Sequence, residues 1–301
     1  MSLSRQNAQP SQAEEATRMG RELDVTGQPD ENLIPVRSKT RERLELWLPP
    51  LFALAVLLGL WIGLIRWKNA PPYLVPSPGD VINGARDNYS DLLLALRSTF
   101  QDAFFGLALS IVFGIALAVV MSQSKLLERA IFPYTTLAQT IPIFAIAPLI
   151  DSMVGGGHAS IVLVALIIAI FPIIANTALG LSSVENNQVN LFTMYNASRY
   201  QQLLYLRLPY AIPYILTGVR VSSGLSIIGA IVGQVLLGNG GAEGGGLGYE
   251  IQYAAHNGDW GLLGAAAFTA ALLGIAVFIV LGALSNLALR DWHESAIRHE
   301  N

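Results

Sequence analysis

The chain has 301 residues, 52% of them hydrophobic and 13% charged, with net charge −3 and no cysteine. Soluble domains carry about 25% charged residues, so this composition excludes an ordinary soluble protein and points to a membrane protein. The small net charge gives no footing for nucleic acid, and the missing cysteine excludes disulfides, thiolate ligands and thiol redox chemistry.

Residues 1–44 are rich in Gln, Glu, Asp, Ser and Arg and predict a disordered cytoplasmic tail. The tail is too long and too acidic for the start of a secretory signal, so the apolar run behind it reads as a retained anchor. From residue 45 to 292 the charges are segregated, and a hydrocarbon core needs about 20 apolar residues to cross. The predicted spans are 47–66, 99–121, 131–151, 159–180, 211–238 and 261–289, six in all, followed by a short tail over 293–301. Behind the first span, Ala70–Pro78 is a Pro-rich extended crossing, and Gly79–Leu96 predicts an amphipathic outside helix that either lies along the membrane or feeds into the second span. Pro142 and Pro148 lie in the third span and Pro172 in the fourth, where each predicts a bend, either static or lining a pathway. Gly155-Gly156-Gly157-His158 reads as the loop between those two spans. Small residues crowd the last two spans, Gly218, Gly224 and Gly229 in the fifth and Gly264 through Gly282 in the sixth, which permits close helix contact or a dimer.

Placing the N-terminus inside leaves only Arg66, Lys68, Arg86 and Arg97 outside, with Arg220 within the fifth span, of 18 basic residues. The positive-inside rule therefore favours two cytoplasmic termini. It also puts residues 181–213, LSSVENNQVNLFTMYNASRYQQLLYLRLPYAIP, on the cytoplasmic side. That segment is too polar and too long for a turn between spans. It predicts short amphipathic helices on the membrane surface, ending in a Leu208-Pro209 stop, and such an element fits a docking partner.

From Pro71 to about Trp292 the sequence resembles the membrane permease subunits of bacterial ATP-binding-cassette importers, in the branch handling nitrate, sulfonates, taurine and bicarbonate. The residues that carry it are Leu74–Val81 with its Pro-Ser-Pro, Gln139-Thr140-Ile141-Pro142 with Ala147-Pro148-Leu149, Asn196–Tyr200 through Pro209 to Arg220, and Gly246-Leu247-Gly248-Tyr249. The resemblance implies an all-α, six-span integral membrane protein with the type I importer permease fold, working as a dimer. It implies a cytoplasmic ATPase dimer below, an extracytoplasmic solute-binding protein above and a bacterial inner-membrane location. It further implies that 181–213 is the loop that couples to the ATPase. Leu191, Phe192, Met194, Tyr195, Ala197 and Tyr200 would then be its grip, Arg199 an ion-pair or capping partner, Asn196 the turn, and Pro209 the residue fixing the exit direction. Four departures stand out. Asn190, Leu191 and Phe192 replace the family's Glu-Ala-Ala, and Asn196 replaces its turn glycine, a position where Asn best tolerates a left-handed backbone. Asp102 stands where a basic residue is usual, and Met153-Val154-Gly155 replaces Trp-Phe-Gly.

Pro142, Pro148, Arg220, Gly246 and Gly248 are the candidate pathway or gate residues. Arg220 either pairs within the bundle or offers positive charge to an anion, while Asp102 and Asp151 read as interfacial or paired within the bundle. Gly238–Gly248 is not a phosphate loop, because no Gly-Lys dipeptide occurs in the chain; a gate or docking loop fits better. His158 and His256 are too isolated for a metal site, no nucleophile–base set is visible, and no cofactor is called for. The expected function is a non-catalytic permease subunit of an ATP-driven importer, its solute a small anion of the nitrate, sulfonate, taurine or bicarbonate kind. The alternatives are a neutral pyrimidine or flavin vitamin precursor carried by the same machinery, or a stand-alone secondary transporter. The latter would show intramembrane ionisable pairs and internal repeats.

Overall fold

The computed structural model describes residues 39–68, 75–238 and 245–297, and among these every regular element is helical. The predicted tail over 1–38, the crossing over 69–74, the loop core over 239–244 and the last four residues lie outside the described residues. The chain divides into two units at Lys68–Asn69. Of the first, the described part is α1, Lys39–Lys68, which opens ahead of the expected start at 47 and contains the apolar stretch Ala55–Ile65.

The second unit holds the remaining helices. They are α2 (Pro78–Asp87), α3 (Tyr89–Ser122), α4 (Lys125–Thr140), α5 (Ile143–Val154), α6 (His158–Ser182), α7 (Asn186–Met194), α8 (Arg199–Gln202), α9 (Leu208–Leu237), α10 (Leu247–Asn257) and α11 (Trp260–Ile297). Four helices are long and apolar enough to cross a membrane: Tyr89–Ser122, His158–Ser182, Arg199–Leu237 and Trp260–Leu289. Their outward faces carry large apolar side chains such as Phe104, Phe113, Ile275 and Ile279, as lipid contact requires.

Three elements differ from expectation, each for a local reason. The amphipathic helix expected over Gly79–Leu96 is two helices. Ser77 and Asp80 form a capping box that starts α2, and α2 ends at Asn88, from which α3 runs on as a single rod. The third predicted span, 131–151, is broken into α4 and α5 rather than bent. Ile141 precedes a proline and is driven out of the helical region (ψ 122°), and Pro142 is itself extended, so the two residues separate the helices. Pro148 and Pro133 are carried inside α5 and α4. Then come Gly155, Gly156 and Gly157, all at positive φ, and His158 is the first residue of α6 rather than part of the loop.

The core is a close triple contact. α6 lies between α3 and α9, and a Cβ placed on Gly106 or Gly229 would come within 2.7 Å of Ala165 atoms from either side. Such contact depends on the absence of a side chain, and it lets backbones approach where lipid offers no competing hydrophobic drive. Hydroxyls stitch the seam: Ser222 Oγ donates to the carbonyl of Ala169 at 2.6 Å, and Ser110 Oγ to that of Leu166 at 3.1 Å. Around it Leu92, Ala95, Ile161, Ile227, Leu247 and Leu262 form a continuous buried cluster.

Candidate functional site

The segment between α6 and α9 is built from its caps. α7 ends at Tyr195, and Asn196 follows at φ 56°, the sole non-glycine residue with positive φ among the described residues. The Ala197 amide closes back onto the Phe192 carbonyl at 3.0 Å. Ser198 then opens α8 with a capping box, its hydroxyl accepting from the Gln201 amide while the Gln201 side chain accepts from the Ser198 amide. This tight turn sets the apolar side chains of α7 beside Gln201 of α8 and Tyr205 just beyond it. Leu191, Phe192, Tyr195, Ala197, Gln201 and Tyr205 line an open groove of about 490 Å³, and its polar lining is slight. Tyr195 and Met194 are each 81% exposed and Tyr200 69%.

Of the residues named from sequence, Leu191, Phe192, Tyr195 and Ala197 share the groove, and Asn196 makes its turn. Met194 and Tyr200 are exposed beside it, and Arg199 lines a different cavity with Lys125 and Arg207. Tyr205 belongs to the groove and was missed; ten residues from Tyr195 and set among leucines, it carries no local signal that separates it from a packed apolar run.

The stop expected at Leu208-Pro209 does not occur. Helix continues from Arg199 to Leu237 through a π-turn over Leu203–Arg207, where the Leu208 amide bonds back five residues to Leu203. Pro209 has no amide hydrogen to give and follows directly on this π-turn, so the missing bond is absorbed within a continuous helix and does not end it. From Arg199 on, the segment is thus helically continuous with α9. Gln188 Nε2 also donates to the Tyr210 hydroxyl, tying α7 to the start of α9.

At the other ends of α3, α6 and α9 lies a buried polar chain. Gln234, fully buried, accepts from Thr99 Oγ1 at 2.9 Å and from the Gly248 amide at 3.1 Å. Its own amide donates to Asp102 Oδ2 at 2.8 Å, and Thr99 Oγ1 accepts from the Leu247 amide at 2.8 Å. Asp102 Oδ1 meets His158 Nδ1 at 2.7 Å; Asp102 is 2% exposed and the His158 side chain 63%. Asp102 is therefore the intra-bundle partner of His158, and the pair joins α3 to the first residue of α6. Gly246 and Gly248 are close-approach residues: a Cβ on Gly246 would fall 2.0 Å from the Gln234 carboxamide, and one on Gly248 2.3 Å from the Ile231 carbonyl oxygen. Gln234 and Thr99 were missed from sequence, where a glutamine inside an apolar run was the available signal.

Arg220 lies on α9 and reaches α11. Its guanidinium stacks over Phe278 at 4.3 Å from the ring centre and crowds Gly282, with its Nε buried and unpaired. Among the described residues no three His, Asp or Glu side chains converge as a metal site would need.

A bundle of apolar helices, one of them extended without a break into an exposed amphipathic segment, defines a multi-pass membrane protein of the transport-permease class. The chain belongs to the family described as binding-protein-dependent transport system inner membrane component, which matches residues 110–299. The formylaminopyrimidine transport permease protein ThiX of Halalkalibacterium halodurans is 35% identical over 242 residues, covering 80% of this chain and 94% of that one. The nitrate import permease protein NrtB of Leptolyngbya laminosa is 28% identical over 251 residues, covering 81% and 88%. Inward-facing MetNI, a methionine ABC transporter, shares the fold with a TM-score of 0.52 at 16% identity, over 70% of this chain and 97% of that one.

Proposed function

We propose that this chain is the permease subunit of an ATP-driven importer, works as a dimer with a second copy, and couples to a cytoplasmic ATPase dimer through the groove of α7 and α8. The observation that carries the reading is the helical continuity from the exposed aromatic groove into α9, a core helix. Force applied at Tyr205 enters α9 along the helix, and force at Tyr195 reaches it through the tight turn at Asn196 and the Gln188–Tyr210 bond. Both termini and the groove face the cytoplasm, and an extracytoplasmic solute-binding protein delivers solute at the opposite end, where Gly246, Gly248, Asp102 and His158 lie. The chain itself performs no chemistry.

The solute is a small anion of the nitrate, sulfonate or taurine kind, in keeping with the nitrate relative. One observation favours a second reading. Arg220, the cation within the span of α9, is occupied by Phe278, and the pyrimidine relative shares 35% identity; a neutral vitamin precursor needs no fixed positive charge. Coexpression with the ATPase tests the coupling surface. Tyr195→Asp plus Tyr200→Asp should abolish the complex, and solute-stimulated ATP turnover undisturbed by those changes would sink the proposal. Uptake of labelled nitrate, taurine and formylaminopyrimidine by the reconstituted importer separates the two solutes.

A further inference from the structure

Beside the coupling segment, on the side away from its apolar groove, the ends of α3 and α6, the start of α4 and the α8–π-turn stretch enclose a cavity of about 610 Å³. Its rim carries Lys125, Arg199 and Arg207 against one carboxylate, Glu128. Its floor includes the buried apolar side chains Met121, Leu181 and Leu203. None of the three cations forms an ion pair or a side-chain hydrogen bond among the described residues.

The plain account of such cations is that they serve the carbonyl ends of α3 and α6. Among the described residues the three cations make no hydrogen bond to those carbonyls, and at Val119, Leu179 and Gly180 neutral side chains do so instead. Ser122 Oγ and Gln123 Nε2 donate to Val119, Ser182 Oγ to Leu179 and Ser183 Oγ to Gly180. The charge balance points the same way. Two helix C-termini amount to about half a negative charge each, and the α4 N-terminus returns about half a positive one. With Glu128 counted, between one and two positive charges remain without a partner.

We propose that this cavity is a binding site for a phosphate-bearing anion, held by Lys125, Arg199 and Arg207. Two guanidinium forks and an ammonium are the donor set that phosphate oxygens favour, and the residual charge matches a phosphodiester or phosphomonoester. The apolar floor under a charged rim accommodates the glycerol and first methylenes of a phospholipid as well as a soluble phosphate. Either ligand would clamp the α3–α4 turn to the coupling segment, because Lys125 belongs to the first and Arg199 and Arg207 to the second. The site would thereby set how stiffly the groove is held.

The test uses the full-length chain in phosphatidylcholine nanodiscs, with and without phosphatidylglycerol, and with labelled inorganic phosphate added to the lipid that lacks it. Native mass spectrometry counts retained phosphatidylglycerol, and equilibrium dialysis measures phosphate. Retention of a single phosphatidylglycerol per chain identifies the lipid as the source; phosphate binding without it identifies a soluble anion. Lys125→Gln plus Arg207→Gln should weaken either ligand about tenfold or more, the scale of one lost charge-assisted hydrogen bond. Lys125→Arg plus Arg207→Lys, which keeps the charge, should restore most of the binding. Arg129→Gln, a nearby cation outside the cavity, should leave it unchanged. Equal binding by wild type and the Gln pair, or no binding of either ligand by wild type, overturns the proposal.

Discussion

Replacing Gln234 by Leu removes the centre of the buried polar chain and nothing on the surface. Three hydrogen bonds go: those from Thr99 Oγ1 and the Gly248 amide, and the one donated to Asp102. Side-chain hydrogen bonds within membrane bundles average about 0.6 kcal/mol, so the two neutral ones together account for about 1 kcal/mol. The bond to the carboxylate is worth about 1.5–3 kcal/mol, and the Gly248 amide is left without its acceptor. The expected loss is about 3 kcal/mol, the size of a large cavity mutation although the side chain lost is polar. Titration of the unfolded fraction with SDS in mixed micelles, followed by tryptophan fluorescence, measures it. Thr99→Val should cost about 1–2 kcal/mol alone. The double variant should fall short of the sum by more than about 0.5 kcal/mol, because both residues share one network. A Gln234→Leu protein within about 0.5 kcal/mol of wild type, or strict additivity with Thr99→Val, would refute the network as a source of stability.

Further predictions concern backbone and charge. Asn196→Val should strain the left-handed turn at φ 56° by about 1–2 kcal/mol and reduce ATPase co-purification, whereas Asn196→Gly should retain it. Gly248→Ala should destabilise by more than about 2 kcal/mol, because its Cβ would meet the Ile231 carbonyl oxygen. Gly274→Ala in α11, with open space around it, should be neutral or stabilise by up to about 1 kcal/mol in the same SDS titration. Burial, and secondarily Asp91, raise the Glu250 pKa above the ordinary carboxylate range, so its ionised form weakens the fold at neutral pH. Glu250→Gln should therefore add stability above the raised value, and the gain should fade as pH drops through it towards about 4.3. Asp80 runs the other way: the Ser77 hydroxyl and amide lower its pKa, so its contribution should be complete above about 4 and lost in acid, and reduced in Ser77→Ala, which keeps only the amide.

Most of the bundle was legible because lipid imposes a length rule that soluble packing does not. The predicted spans over 99–121, 159–180 and 261–289 lie inside α3, α6 and α11, and the polar connection between α6 and α9 holds two short helices. Asn196 was readable because few side chains suit that conformation. Other features depended on details a run of apolar letters does not encode. Pro142 could bend a helix or end it, and Ile141, constrained by the proline after it, turns the balance to a break. Pro209 read as a stop because nothing in the sequence announces a π-turn. The Asp102–His158 and Asp102–Gln234 contacts join residues 56 and 132 positions apart, and no local pattern links them. Gly246 and Gly248 were named as gate candidates, and the room they make for Gln234 against α10 was not readable from the sequence.

The π-turn over Leu203–Arg207 has a geometric consequence of its own. An α-helix advances about 100° per residue, so one residue more or less in a turn rotates everything beyond it by about a quarter revolution. The π-turn holds one residue more than a regular turn and so sets the phase between the groove and α9. Deleting a single residue there would keep the rod, keep both surfaces and point Tyr195 and Phe192 around the helix away from their present direction. The angular setting of the groove is thus stored in five residues that touch neither the groove's floor nor the buried network, save for Tyr205, which is at once part of the dial and part of the face it turns.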